Sequence, residues 1–103
     1  MTFSNKLSAA EAERLAILAE ELGEATQAIG KILRHGYESY NPDDINSMSN
    51  RGQLQKELGD IFCAVDMMVS ANDLNGKIVT HHREKKAEKI KPYLHHQELS
   101  DES

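Results

Sequence analysis

Apolar residues recur every three or four positions over the first third of the chain, which is the period of an amphipathic helix. Ser8 and Glu11, just before this stripe, have the spacing of a capping box, and Gly36 suits the position that follows a helix C-terminus. The pattern therefore predicts a first helix that opens at Ser8 and runs for about 27 residues, or roughly 40 Å. Its apolar positions are Leu15, Leu18, Leu22, Ala25, Ile29 and Leu33.

A second stripe predicts a helix from near Asn50 to about Asn72. Gly59 in this helix and Gly23 in the first are expected to let the two helices approach closely beside neighbouring carboxylates. Cys63 lies in the same apolar run, and we expect it to be a small buried hydrophobe. The stripe consists of Leu54, Leu58, Ile61, Val65, Met68 and Asn72, and it is widened by Phe62 and Val69.

The segments around these two helices are more polar. Residues 37–49 have no sustained period and contain the turn formers Asn41-Pro42-Asp43, and a connection of this length is often functional. Asn75-Gly76 punctuates a turn before a third, basic helix, which is predicted from about Lys77 to His95 with a kink or an end at Pro92. Residues 97–103 read as a flexible polar tail.

One hundred and three residues predict a single domain over 1–103. The apolar faces of the first two helices are broader than a three-helix monomer can cover. We therefore expect an all-α fold of three to four helices, in which association into a homodimer or homotetramer completes the bundle.

The net charge of −5 and the pI of about 5.5 do not provide the excess of positive charge that binding to DNA or RNA requires. No apolar run approaches the roughly 20 residues that a membrane span requires, and the first residues lack the apolar core of a signal peptide. A single cysteine suits a reducing compartment. The expectation is a cytoplasmic protein without nucleic-acid or membrane partners.

Carboxylates are concentrated at two places. The run Glu20-Glu21-Leu22-Gly23-Glu24 places three of them on one narrow arc of the first helix, and Glu57 and Asp60 have an i, i+3 spacing on the second. If the helices pack side by side, each like-charged pair at roughly 6 Å costs about 3 kcal/mol at an effective dielectric near 20. No Lys or Arg follows the first three by four residues to form ion pairs. The pattern therefore predicts a cation site.

Four hard oxygen ligands suit Mg²⁺, with Mn²⁺ as a possible substitute. Di-iron bundles instead use Glu-x-x-His on two helices, and no His lies three or four residues after any of these carboxylates. Carboxylate-bound magnesium typically serves phosphate chemistry. Lys86 and Lys89 share a face of the basic third helix and suit polyphosphate binding.

The ordered pair Glu20-Glu21-x-x-Glu24 and Glu57-x-x-Asp60 resembles the signature of the MazG-like, all-α nucleoside triphosphate pyrophosphatase superfamily. The segments 31–36 and 86–94 are similar to those of its small, often phage-encoded members, so the resemblance covers about residues 10 to 96. It implies hydrolysis of a (deoxy)nucleoside triphosphate between the α- and β-phosphates, with a nucleoside monophosphate and pyrophosphate as products.

The resemblance also implies roles for individual residues. Glu20 would orient or deprotonate the attacking water beside Glu21, and the metal ligands would be Glu21, Glu24, Glu57 and Asp60. Lys86 and Lys89 would bind the phosphates, and Lys31, Arg34, Tyr37 and Tyr40 are further candidates for substrate binding. The competing interpretations are that Lys31 and Arg34 compensate the helix dipole, and that the two tyrosines only pack the loop, which has no Trp for base stacking.

Two other classes of function remain open. One is a non-enzymatic helical dimer that keeps the acidic residues as a structural cation site. The other is a relative that acts on a phosphoribosyl nucleotide. The preferred base and sugar cannot be read from the chain.

Overall fold

The computed structural model describes residues 4–98, and this part of the chain is helical without strands. Helix α1 is Ala9–His35, α2 is Asn50–Ser70 and α3 is Gly76–Lys89, followed by a short 3₁₀ helix at Lys91–Tyr93. The predicted all-α class is confirmed. Residues 99–103 of the predicted tail lie outside the described residues.

Helix α1 has the predicted ends. Ser8 Oγ accepts a hydrogen bond from the Glu11 backbone N–H at 3.0 Å, and Glu11 Oε1 accepts one from the Ser8 N–H at 2.8 Å. At the other end Gly36 has φ 86°, and its N–H donates to the Ile32 carbonyl at 2.7 Å. This left-handed conformation favours glycine and stops the helix.

The connection between α1 and α2 is tied to the first turn of α2. The Asn50 N–H donates to the Ser39 carbonyl and the Arg51 N–H donates to the Tyr37 carbonyl, each at 2.8 Å. The Arg51 guanidinium also lies 4.3 Å from the centre of the Tyr37 ring. These bonds give the segment 37–49 a fixed place beside the start of α2.

Helices α1 and α2 run antiparallel within one compact unit that ends at Asp73. The connection joins one end of the pair, and an ion pair between Arg14 and Asp73 closes the other end. The buried apolar residues among residues 4–98 are small or flexible, so the helices lie close together along this line. They are Ala25 and Ala28 on α1 and Ala64 and Met68 on α2.

The large apolar residues of α1 do not form this contact. Leu15, Leu22 and Ile29 are 42%, 48% and 46% exposed, because the side of α1 that packs on α2 carries alanines and carboxylates. The predicted helix is present, but most of its predicted apolar stripe lies on the surface of the protomer.

Two local predictions about packing are wrong. Cys63 is exposed instead of buried, since it lies on the side of α2 away from α1. Gly23 and Gly59 do not mediate a close helix contact within the protomer, because a Cβ added at either position would meet no atom within 4 Å.

The second compact unit begins at Leu74 and contains α3. Asn75 caps this helix, with its Oδ1 accepting from the N–H groups of Lys77 and Ile78 at 2.9 and 3.2 Å. The α-helix ends at Lys89, earlier than the predicted His95, and Pro92 lies in the 3₁₀ turn that follows. Proline has no N–H to continue an α-helix. In residues 4–98, none of the helices has the length and hydropathy needed to cross a membrane.

Candidate metal centre

Four carboxylates from the two packed helices meet at one place, and we call Glu21, Glu24, Glu57 and Asp60 the acidic cluster. One oxygen from each residue lies within 4.8 Å of the corresponding oxygens of the other three. The i, i+3 spacing explains the arrangement, because each helix presents two carboxylates on neighbouring turns of the side that faces the other helix. The predicted meeting of the two acidic motifs is therefore found, and the cluster could bind a metal ion.

The interior oxygens of the cluster lack partners. Glu57 is only 2% exposed, and Glu21 is half-buried. The Oε2 atoms of both residues are buried, with no hydrogen-bond donor for either in the described part of the chain. A buried carboxylate oxygen without a donor is unfavourable, and a cation between the helices would remove that penalty.

The electrostatics of the cluster favour protons or cations. The nearby Glu57 carboxylate, which can accept a hydrogen bond from protonated Glu24, raises the pKa of Glu24 to about 7, and the negative charges of Glu57 and Glu21 act in the same direction. Burial raises the pKa of Glu21, and the charges of Asp60 and Glu57 contribute further. Both shifts arise because the ionised carboxylates are unfavourable when they lie this close together without a counter-ion.

Two neighbours of the cluster were not singled out from the sequence. Gln53 Nε2 donates to Glu57 Oε1 at 2.6 Å, and Lys56 Nζ lies 2.9 Å from Asp60 Oδ2 and 3.6 Å from Glu57 Oε1. The signal was present, since Lys56 precedes Asp60 by four residues and Gln53 precedes Glu57 by four.

The cluster borders one cavity, and a second, larger cavity adjoins the first. The smaller, about 290 Å³, is lined by Glu24 and Glu57 together with Gln27, Ala28, Lys31 and Gln53. The larger, about 510 Å³, shares Ala28, Lys31 and Gln53 with it and extends under the connection between α1 and α2. The polar residues in its wall include His35, Asn41, Asn46, Asn50 and Lys56, and the ring of Tyr40 also lines it.

The other predicted site residues have different surroundings. Lys31 lines both cavities and Tyr40 lines the larger one. Glu20 and Arg34 are exposed on α1, and Tyr37 stacks under Arg51. Lys86 and Lys89 are exposed in the last turn of α3, in the second compact unit. The roles assigned to these residues stay predictions.

Comparison of the chain with profiles of protein families, with curated proteins and with solved structures found no match.

Proposed function

We propose that this chain is a Mg²⁺-dependent nucleotide pyrophosphohydrolase that cleaves (deoxy)nucleoside triphosphates to monophosphates and pyrophosphate. The observation that carries the proposal is the acidic cluster, in which oxygens of four carboxylates lie within 4.8 Å of one another. Two of its buried oxygens have no donor among residues 4–98. The cluster joins the two motifs on which the resemblance to the MazG-like superfamily rests.

The donor set fits a hard divalent cation. Oxygen ligands alone, without His or Cys, suit Mg²⁺ or Mn²⁺, and all four members of the acidic cluster would hold the ion. When bound, Mg²⁺ would neutralise charge on the phosphate oxygens of the substrate. Glu20 is exposed beside the cluster on α1, and its carboxylate would orient or deprotonate the attacking water.

The adjoining cavities support a nucleotide as the substrate. Volumes of about 290 and 510 Å³ are in the range of small-molecule sites. Lys31 lines both cavities and offers a cation to phosphate oxygens between the cluster and the larger cavity. In the larger cavity Tyr40 offers a ring for stacking, and Asn41, Asn46 and Asn50 offer amide groups to a base or sugar.

A screen of common and modified (deoxy)nucleoside triphosphates with Mg²⁺ tests the proposal. Attack at the α-phosphorus releases pyrophosphate, whereas a simple phosphatase releases orthophosphate, so both products are measured. Release of orthophosphate alone would contradict the proposed reaction. Binding of Mg²⁺ without turnover of any nucleotide would favour the non-enzymatic helical dimer with a structural cation site.

The variant Glu57→Gln tests the part played by the cluster. The amide keeps the size of the side chain and an oxygen that can accept from Gln53, but it removes one ligand charge. Turnover should fall by at least about tenfold, equivalent to roughly 1.4 kcal/mol of barrier. Asp66→Asn is the matched control, because Asp66 is exposed on α2 and outside the cluster. A Glu57→Gln variant as active as wild type would contradict the assignment.

A further inference from the structure

A positively charged side chain already touches the acidic cluster. Lys56 Nζ lies 2.9 Å from Asp60 Oδ2 and 3.6 Å from Glu57 Oε1. It reaches both carboxylates from their own helix, one position before Glu57 and four before Asp60. No other Lys or Arg forms an ion pair with a cluster residue in the described part of the chain.

One ammonium group cannot neutralise four carboxylates. Lys56 contacts Asp60 and Glu57, while the buried Oε2 atoms of Glu21 and Glu57 stay without donors. A divalent cation that binds all four residues would compete with the ammonium group for Asp60 and Glu57. The contact is therefore one that metal binding would displace.

The larger cavity could accommodate the displaced ammonium group. Lys56 lines the larger cavity together with Lys31 and His35. Its side chain is 49% exposed, and the four-carbon stem of lysine is flexible. The same residue thus borders the carboxylates and the space in which the substrate would lie.

We infer that Lys56 is a tethered cation that holds Asp60 and Glu57 before metal binds and then transfers to a phosphate oxygen of the substrate. This inference deepens the proposed function and rests on it. It makes Lys56 a binding residue for the metal-loaded site and a competitor of the metal in the free protein.

The first test is calorimetric titration of the protein with Mn²⁺ alone. Lys56→Met removes both the competitor and a nearby positive charge, so Mn²⁺ should bind at least about tenfold more tightly than to wild type. Lys6→Met is the matched control, because it removes the same charge from the segment before α1 and should leave the affinity unchanged. Lys56→Arg keeps the charge and should stay near wild type.

The second test measures binding of the Mg²⁺–pyrophosphate complex to the metal-saturated protein. Here Lys56→Met should bind at least about tenfold more weakly, because one phosphate contact is lost. Opposite effects on metal and on pyrophosphate are not expected of a residue that only stabilises the helix. If Lys56→Met does not fold in EDTA, Lys56→Gln is titrated instead, since its amide still donates to Asp60.

The outcomes separate the inference from the proposed function. Equal Mn²⁺ affinity of Lys56→Met and wild type would overturn the inference alone, as would unchanged pyrophosphate binding. Failure of wild type to bind Mn²⁺ would overturn both. Opposite shifts in the two titrations, in a protein that hydrolyses no nucleotide, would support Lys56 as the tethered cation and contradict the hydrolase.

Discussion

Arg14 and Asp73 are 59 positions apart in the chain, yet their side chains form a bidentate ion pair. Arg14 Nε donates to Asp73 Oδ2 at 2.6 Å, and a terminal guanidinium nitrogen donates to Oδ1 at 3.0 Å. The pair is mostly shielded from solvent. The contact raises the pKa of Arg14 and lowers the pKa of Asp73, chiefly through the hydrogen bonds. It fixes the open end of the α1–α2 pair opposite the connection.

Removing this ion pair should destabilise the protein. Asp73→Asn leaves the guanidinium without its charged partner, and we expect thermal denaturation to show a Tm several degrees below wild type. Glu38→Gln is the matched control, because Glu38 pairs with Arg51 on the exposed surface at 2.9 Å, where such pairs contribute little. Equal Tm values for Asp73→Asn and wild type would contradict the structural role.

Metal binding should raise the stability of the native state. A ligand that binds only the folded protein adds about 2.7 kcal/mol to the free energy of unfolding at a hundredfold excess over its Kd. In a domain of this size that corresponds to a rise in Tm of roughly 10 to 20 °C. Millimolar Mg²⁺ should give this rise, and EDTA should reverse it.

The same melts apply to Glu57→Gln. In EDTA its Tm should equal or exceed that of wild type, because one repulsive charge has been removed from the cluster, while its response to Mg²⁺ should shrink. Asp66→Asn should respond to Mg²⁺ as wild type does. A wild-type Tm that changes with neither Mg²⁺ nor EDTA would contradict the proposed metal site.

Without metal, the stability of the folded protein should increase as the pH is lowered. The folded pKa of Glu24 is about 7, above the ordinary value of 4.5, and the pKa of Glu21 is also raised. The folded state therefore binds these protons more tightly than the unfolded state. The resulting stability is fully present below about pH 4.5 and is lost as the pH rises through about 7.

In EDTA, then, Tm should rise when the pH is lowered from 8 to 5. Asp73 acts in the opposite sense, but its lowered pKa confines the loss of stability to pH values below the ordinary 3.8. Glu24→Gln cannot titrate at this position and should flatten the dependence. If the wild-type Tm falls as the pH is lowered from 8 to 5, the carboxylates of the cluster do not repel one another as expected.

Helix positions were predictable because their signals are local. The Ser8–Glu11 capping box and Gly36 lie within a few residues of the ends that they set. The end of α3 was placed too late, because the basic residues before Pro92 favour a helix without fixing where it stops. The side on which α1 packs was not predictable, since a broad apolar face does not determine which part of it meets α2.

The acidic cluster was predictable because two i, i+3 pairs each fix the relative directions of their carboxylates, whatever the crossing angle of the helices. Lys56 was missed because an i, i+4 neighbour of Asp60 has the same spacing as an ordinary surface ion pair. The residues of the cavity wall could not be predicted from the sequence either. It depends on how residues 39–48 fold back on α1, and no periodic pattern determines that arrangement.

Large apolar side chains are exposed on both α1 and α2. Leu15, Leu22 and Ile29 recur every two turns of α1 and are nearly half exposed, and Phe62 on α2 is 65% exposed. Apolar surface of this extent is unfavourable in water, so we expect a homodimer or homotetramer that covers it.

Light scattering coupled to size-exclusion chromatography, at micromolar protein, measures the assembly. Ile29→Glu places a charge in the expected interface and should shift the protein toward monomer, because burying an unpaired carboxylate is strongly unfavourable. Ala16→Glu adds the same charge about 140° around the helix from Ile29 and should leave the assembly intact. A wild-type monomer of 11.5 kDa with a cooperative melt would show that this surface is stable in water, and the predicted bundle completed by a partner chain would then be wrong.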